Sequence, residues 1–193
     1  FNTVVDSIFL TVGVIVLIPC FIFFIECLAA FFSSSSSLNL ETIQRPKTTI
    51  LIPAHNEAEQ IKEGIEGLQT QLAEQDRVVV IADNCHDNTA ELARTTGVEV
   101  LEREHQTDRG KGYALDYAMQ QIQADPPEVL VILDGDCIVA ADTIGNITRK
   151  AIATGRPVQA TYLMEQPETP SLEANNSMFT IKEKNLVRHM GLT

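Results

Sequence analysis

Residues 8–25 carry no charge, and the apolar character resumes after Glu26 and continues to residue 32. An uncharged apolar run of about 18 residues or more is long enough to cross a bilayer as a helix, so residues 1–32 are expected to form a membrane anchor. A buried helix and a cleaved signal peptide are the alternatives. Against the second, no basic residue precedes Ile8, where a signal normally carries positive charge. Ser33 to Ser37 cannot bury apolar surface, and residues 33–47 read as a flexible Ser-rich linker.

From Thr48 onward, short β-rich apolar runs alternate with stretches of helical spacing. Residues 48–53, 78–82, 98–101 and 129–133 read as strands. Residues 57–72 read as a helix, with Ile61, Ile65, Leu68 and Leu72 on one face; residues 88–94, 112–122 and 141–153 read as three more. Asn56 and Glu59 fit a capping pattern for the first of these helices, and Asp87 fits the cap of the second. A further strand over residues 157–164 and a helix over residues 171–189 complete the pattern. Strands separated by such helices join by right-handed crossovers into a mostly parallel sheet, so the fold class is α/β. No internal repeat interrupts it.

Composition narrows the function. A net charge of -12 argues against a general nucleic-acid binder, which needs a basic face to release counterions from phosphates. Among the four cysteines, Cys20 and Cys27 lie in the apolar run, and Cys85 and Cys137 are far apart in sequence. That is no disulfide framework, and reduced thiols are expected. Arg45 and Lys47 follow the apolar run, which by the positive-inside tendency places the bulk of the chain on the cytoplasmic side of the cell membrane. The acceptor triplets at Asn146 and Asn175 would then stay unglycosylated. Because the chain begins with Phe1, residues are expected upstream of it.

The candidate chemistry lies in the loops that follow the strands. Asp134-Gly135-Asp136 directly follows the apolar run 129–133, at a carboxyl strand end, where open α/β sheets bind ligands. Paired carboxylates suit Mg2+ or Mn2+, which commonly bind one or two protein acids plus substrate phosphates. Asp-Gly is also a common turn dipeptide, so a plain turn is the competing reading. Three further loops settle the preference: Pro53-Ala54-His55-Asn56-Glu57, Ala82-Asp83-Asn84-Cys85-His86-Asp87, and Asp108-Arg109-Gly110-Lys111-Gly112. The last leads into a helix, whose N-terminus favours anions. Two scattered histidines lack the spacing of a zinc site, so His55 and His86 read as polar loop contacts. Cys85 and Cys137 read as small packing residues.

These motifs, in this order, resemble the family 2 glycosyltransferases, inverting enzymes of the GT-A (Rossmann-like) fold. The match runs over about residues 48–143, from Ile50-Leu51-Ile52-Pro53-Ala54-His55-Asn56-Glu57 through Gly110-Lys111-Gly112 to the Asp-x-Asp pattern at Asp134 and Asp136. The resemblance implies that Pro53, Ala54, Asn56 and Glu57 frame a nucleotide pocket, with Glu57 near the ribose or base. It implies that Asp83 accepts an N–H from a uracil-type base and that Lys111 neighbours the diphosphate. Asp134, Gly135 and Asp136 would hold the donor and a Mg2+ or Mn2+ ion, with Asp136 the direct ligand. The expected donor is a UDP-sugar, and the acceptor, a polysaccharide or a lipid-linked group, is open.

The chain departs from the family pattern in two places. Ala82-Asp83 offers one acid where many relatives carry two. The family's general base and Gln-x-x-Arg-Trp segment find no counterpart before Thr193, and the chain has no Trp. The expectation is therefore the amino-terminal, donor-binding part of a longer membrane glycosyltransferase, residues 48–193 being an incomplete GT-A domain. A membrane-tethered nucleotide-sugar-binding module without transferase activity is the alternative. A nucleotidyltransferase is disfavoured, because residues 53–57 lack the glycine-rich loop such enzymes place after the first strand.

Overall fold

The computed structural model describes residues 2–32 and 39–162. Residues 38–160 form one compact unit; the first helix, α1 (Asn2–Phe32), belongs to another. Within α1, Thr3–Ala29 is long and apolar enough, by length and composition, to cross a membrane, and the 27 residues show no buried face. At about 1.5 Å per residue such a span exceeds a hydrocarbon core of about 30 Å. Two of its hydroxyls are satisfied internally: Ser7 Oγ donates to Thr3 O at 2.8 Å and Thr11 Oγ1 to Ser7 O at 2.7 Å. That removes the cost of leaving them bare in an apolar phase. The serine run and the helix expected over residues 171–189 lie outside the described residues.

The second unit is a four-stranded parallel sheet in the order β3-β2-β1-β4, formed by β1 (Thr48–Ala54), β2 (Arg77–Asp83), β3 (Glu99–Arg103) and β4 (Val129–Ile132). β1 and β2 are buried along nearly their whole length, as expected of central strands covered on both faces. Register pairs Leu51 with Val79 on one side and with Ile132 on the other. β3, at an edge, exposes Glu99 and Glu102, charges that blunt an open edge.

Helices cover the two faces unequally. On one face Ile50, Ile52, Val78, Val80 and Val131 pack with Ile61, Ile65 and Leu68 of α2 (Ile61–Gln69), Ala93 of α3 (Thr89–Thr95) and Ile144 of α5 (Thr143–Thr154). Each such fully buried aliphatic side chain contributes about 1.5–3 kcal/mol. On the other face Leu51, Val79 and Ile81 meet Ala114 and Ala118 of α4 (Lys111–Gln121). The small alanines let α4 approach the sheet closely.

The α/β class holds, and two local expectations change. α2 starts at Ile61, the first position of the apolar periodicity and four residues later than the start at residue 57 that the capping pattern predicts. Asn56 takes a left-handed φ of 55° and its Oδ1 accepts from His86 N at 2.8 Å, so it does not cap α2. Glu57 N donates to Thr89 Oγ1 at 2.9 Å and Ala58 N to Asp87 Oδ2 at 3.2 Å. The neighbouring loop thus takes up the N–H groups of residues 57 and 58, while Glu57 O accepts from Ile61 N at 3.0 Å in the turn that leads into α2. The strand expected from residue 157 is also absent over the described residues 157–162, all exposed except half-buried Val158. With no buried face there is nothing to hold a ladder.

The segment leading into β1 is bolted to the unit. Arg45 pairs with the buried Asp76, and Lys47 pairs with Asp125. Arg149 Nε donates to Ile43 O at 3.1 Å. The two cations that suggest membrane orientation thus have acidic partners within this unit.

Candidate functional site

From β1 through β3 the sheet grows outward, and β4 then returns to the other flank of β1. The topological switch lies between β1 and β4, where ligands bind outside the carboxyl ends of the strands. β1 delivers Pro53 and Ala54 to that edge. β4 is prolonged by Leu133 N donating to Leu51 O at 3.0 Å, and the chain then turns, with Cys137 N donating to Asp134 O at 3.1 Å. Asp134-Gly135-Asp136 is therefore both a turn and a carboxyl-edge loop.

A cavity of about 530 Å3 opens at this edge. Pro53, Ala54, His55, Glu57, Asp83, Asn84, Arg109, Gly110, Lys111, Ala114, Asp134 and Asp136 line it. Asn56 and Gly135, although expected at the site, do not line it. Asn56 supports the wall from behind through His86 N. Gly135 is buried, and a Cβ there would run into the Glu57 carboxylate and come within 3.4 Å of Ile61 Cδ1. Its φ is unexceptional, so the glycine answers a need for space, not for conformation.

Glu57 is drawn into the acidic loop. Its Oε2 is buried and has no hydrogen-bond partner. Burial pushes the Glu57 carboxyl up from its ordinary range, and Asp136 and then Asp134 push it the same way. The same surroundings raise the Cys137 thiol, burial first and then the two aspartates. Hard oxygen donors crowded together with an unpartnered buried carboxylate oxygen fit a divalent cation. No group of three or more His, Cys, Asp or Glu side chains forms a metal cage among the described residues, so the fit is to an ion completed by ligands from a bound molecule.

Because folding raises the Glu57 pKa, the unfolded chain releases that proton first as pH rises. The contribution of Glu57 to stability is full below its ordinary pKa of about 4.5 and is lost as pH climbs through the raised value. Glu57→Gln is therefore expected to melt a few degrees higher than the unaltered chain at pH 7.5 in metal-free buffer. Near pH 4 the two should coincide. Equal melting at pH 7.5 would refute this placement.

The neighbouring loop is tied to β3. Asp83 Oδ1 accepts from Arg103 Nη1 at 2.7 Å and from Asn84 Nδ2 at 3.0 Å. Asp83 Oδ2 accepts from Gly110 N at 3.3 Å. His55 Nδ1 donates to Asp83 O at 2.7 Å, a polar loop contact as its sequence context predicts. Asp87 Oδ1 accepts from Thr89 Oγ1 at 2.5 Å and from Thr89 N at 3.1 Å and so holds the start of α3, and these bonds, the hydroxyl's first, pull its carboxyl below the ordinary range. Cys85 is half-buried, with Sγ 3.5 Å from Ala54 O, and burial raises its thiol.

α4 opens beside the cavity at Gly110, whose φ of 106° and ψ of 168° are open to glycine alone. The helix N-terminus favours negative charge there. Lys111 pairs with Asp134, both about half exposed. Asn84 and Arg109 lie within the candidate loops without a role of their own in the pattern, and no motif marks Arg103. The one signal for Arg103 is its place at the carboxyl end of the strand beside β2.

A parallel sheet with an acidic pair at its switch point and a glycine-lysine helix N-terminus across the cavity is an arrangement of the GT-A fold type. The sequence profile of glycosyl transferase family 2 matches residues 49–189, and the chain belongs to that family. A mannosyltransferase from Pyrobaculum calidifontis, solved with GDP-mannose and Mn2+, is similar in structure at a TM-score of 0.58 and 20% identity. The similarity covers 84% of this chain and 45% of that enzyme, so the chain spans less than half its length. Glucosyl-3-phosphoglycerate synthase from Mycobacterium tuberculosis, solved with Mn2+, UDP and phosphoglyceric acid, matches at a TM-score of 0.47 and 22% identity, over 56% of this chain and 39% of that one. No curated protein matches the chain by sequence.

Proposed function

We propose that the cavity binds the nucleoside diphosphate of a sugar donor, with UDP-sugar as the donor, and that the chain is the donor-binding part of a membrane glycosyltransferase acting with inversion. The observation that carries this reading is the convergence of Glu57, Asp134 and Asp136 at the β1–β4 switch point, facing Lys111 and the N-terminus of α4 across one cavity.

Asp83 accepts an N–H of the base. Pro53 and Ala54 form the apolar wall beside it. Lys111 leaves Asp134 for the diphosphate, where it and the first turn of α4 offset negative charge. Asp136, whose carboxylate has no cation partner among the described residues, and Asp134, once free of Lys111, would hold Mg2+ or Mn2+. When bound, that ion offsets charge growing on the departing diphosphate. Glu57, wedged against Gly135, fixes the spacing of the two aspartates. The acceptor hydroxyl attacks the anomeric carbon from the face opposite the diphosphate, and the base that takes its proton is assigned to no residue of this chain. α1 anchors the chain in the cell membrane with the sheet on the cytoplasmic side.

Titration calorimetry of the detergent-solubilised chain with UDP tests the reading. Binding should strengthen at least about tenfold when Mn2+ is added. UDP affinity indifferent to Mn2+ and Mg2+ would overturn the metal assignment, and no UDP binding with either ion would overturn the site.

A further inference from the structure

A carboxylate has about four acceptor positions, two on each oxygen. On Asp83 three are occupied. Arg103 Nη1 and Asn84 Nδ2 fill Oδ1 at 2.7 and 3.0 Å, and Gly110 N takes one position on Oδ2 at 3.3 Å. One remains, on a residue that lines the cavity. We propose that Arg103 and Asn84 set the nucleobase selectivity of this chain by filling Oδ1 of Asp83, so that the site accepts a base edge with a single N–H, the imide of uracil or thymine. The inference rests on the donor-site reading above and concerns two positioning residues that act through Asp83.

Neither donor is free to turn away. Asn84 Oδ1 accepts from His105 N at 2.9 Å, which fixes the amide so that Nδ2 faces Asp83. Asn84 N donates to Arg103 O at 2.8 Å. The Arg103 guanidinium lies 5.8 Å from the centroid of the Tyr113 ring, a cation–π contact that holds it over α4. Guanine presents two adjacent N–H donors and needs one open acceptor on each carboxylate oxygen. Here the second donor would be buried without a partner, which is costly. Cytosine and adenine present a ring-nitrogen lone pair where the carboxylate presents its own. Uracil and thymine present one N–H and match the single open position.

The test is calorimetry of the detergent-solubilised chain in Mn2+ with UDP, dTDP, GDP and CDP. UDP or dTDP, whichever ribose the site prefers, should bind at least about tenfold more tightly than GDP and CDP. In Asp83→Asn the amide oxygen stays toward Arg103 and Asn84, which donate at 2.7 and 3.0 Å, and the NH2 takes the place of Oδ2, giving up the longer 3.3 Å bond from Gly110 N and turning an N–H to the cavity. CDP should then bind more tightly than UDP. In Asn84→Gly, which tolerates the φ of 53° at that position, one position on Oδ1 opens, and the UDP-over-GDP preference should narrow about tenfold. A purely structural role would weaken both ligands alike and leave the ratio unchanged. GDP binding as tightly as UDP to the unaltered chain overturns the inference, as does an unchanged UDP-over-CDP order in a folded Asp83→Asn. The panel on the unaltered chain decides the matter if either variant fails to fold. Binding of none of the four nucleotides would overturn the donor-site reading itself.

Discussion

Asp136→Ala is expected to lower UDP affinity in Mn2+ by about tenfold or more, to the level seen without metal, while leaving the fold intact. Asp136 is exposed, and the contact given for its carboxylate is the Cys137 thiol at 3.8 Å. Its removal therefore breaks no buried contact. It also takes away a like charge that pushes the Glu57 carboxyl up, so the melting temperature in metal-free buffer should hold or rise slightly. Asp134→Ala is a useful contrast, because it frees Lys111 as well as removing a carboxylate. Calorimetry with and without Mn2+, beside thermal melts, separates the two effects. Retention of Mn2+-dependent binding in Asp136→Ala would remove this residue from the metal site.

Arg103→Met is expected to destabilise the sheet unit by about 3–5 kcal/mol, the cost of stranding one partner of a buried ion pair. The Arg103 and Asp83 side chains are 11% and 8% exposed, so little water reaches the pair to take the place of the guanidinium. The substitution also removes the contact over Tyr113. Urea denaturation followed by circular dichroism measures the loss. Combining it with Asp83→Leu, which removes the stranded charge, should recover a large part of it. A loss under about 1 kcal/mol would mean that the pair behaves like an exposed one.

How much of this was legible beforehand depends on where each signal comes from. The strands were legible because β1, β2 and β4 are runs of Val, Ile and Leu, which have few stable alternatives to a buried strand. The acidic pair was legible because its position directly after such a run fixes it at a carboxyl edge. The start of α2 was not, since the capping pattern of Asn56 and Glu59 says nothing of Thr89 and Asp87, about 30 residues away, which hold Glu57 and Ala58. Asn56 illustrates the same gap: its composition suits a cap, but its side chain serves His86 across the loop.

The amino-acid sequence by itself determined the alternation of strand and helix, the apolar span of α1 and the presence of carboxylates after β1, β2 and β4, because burial periodicity and loop chemistry are local properties. Tertiary structure alone decided that Glu57 leans on Gly135 and that Arg103 and Asn84 occupy one oxygen of Asp83. Both depend on strand order, which brings β4 against β1 and β3 against β2. Residues distant in the chain become neighbours only once that order is set, and the charge and hydrogen-bonding capacity left open in the cavity follow from it.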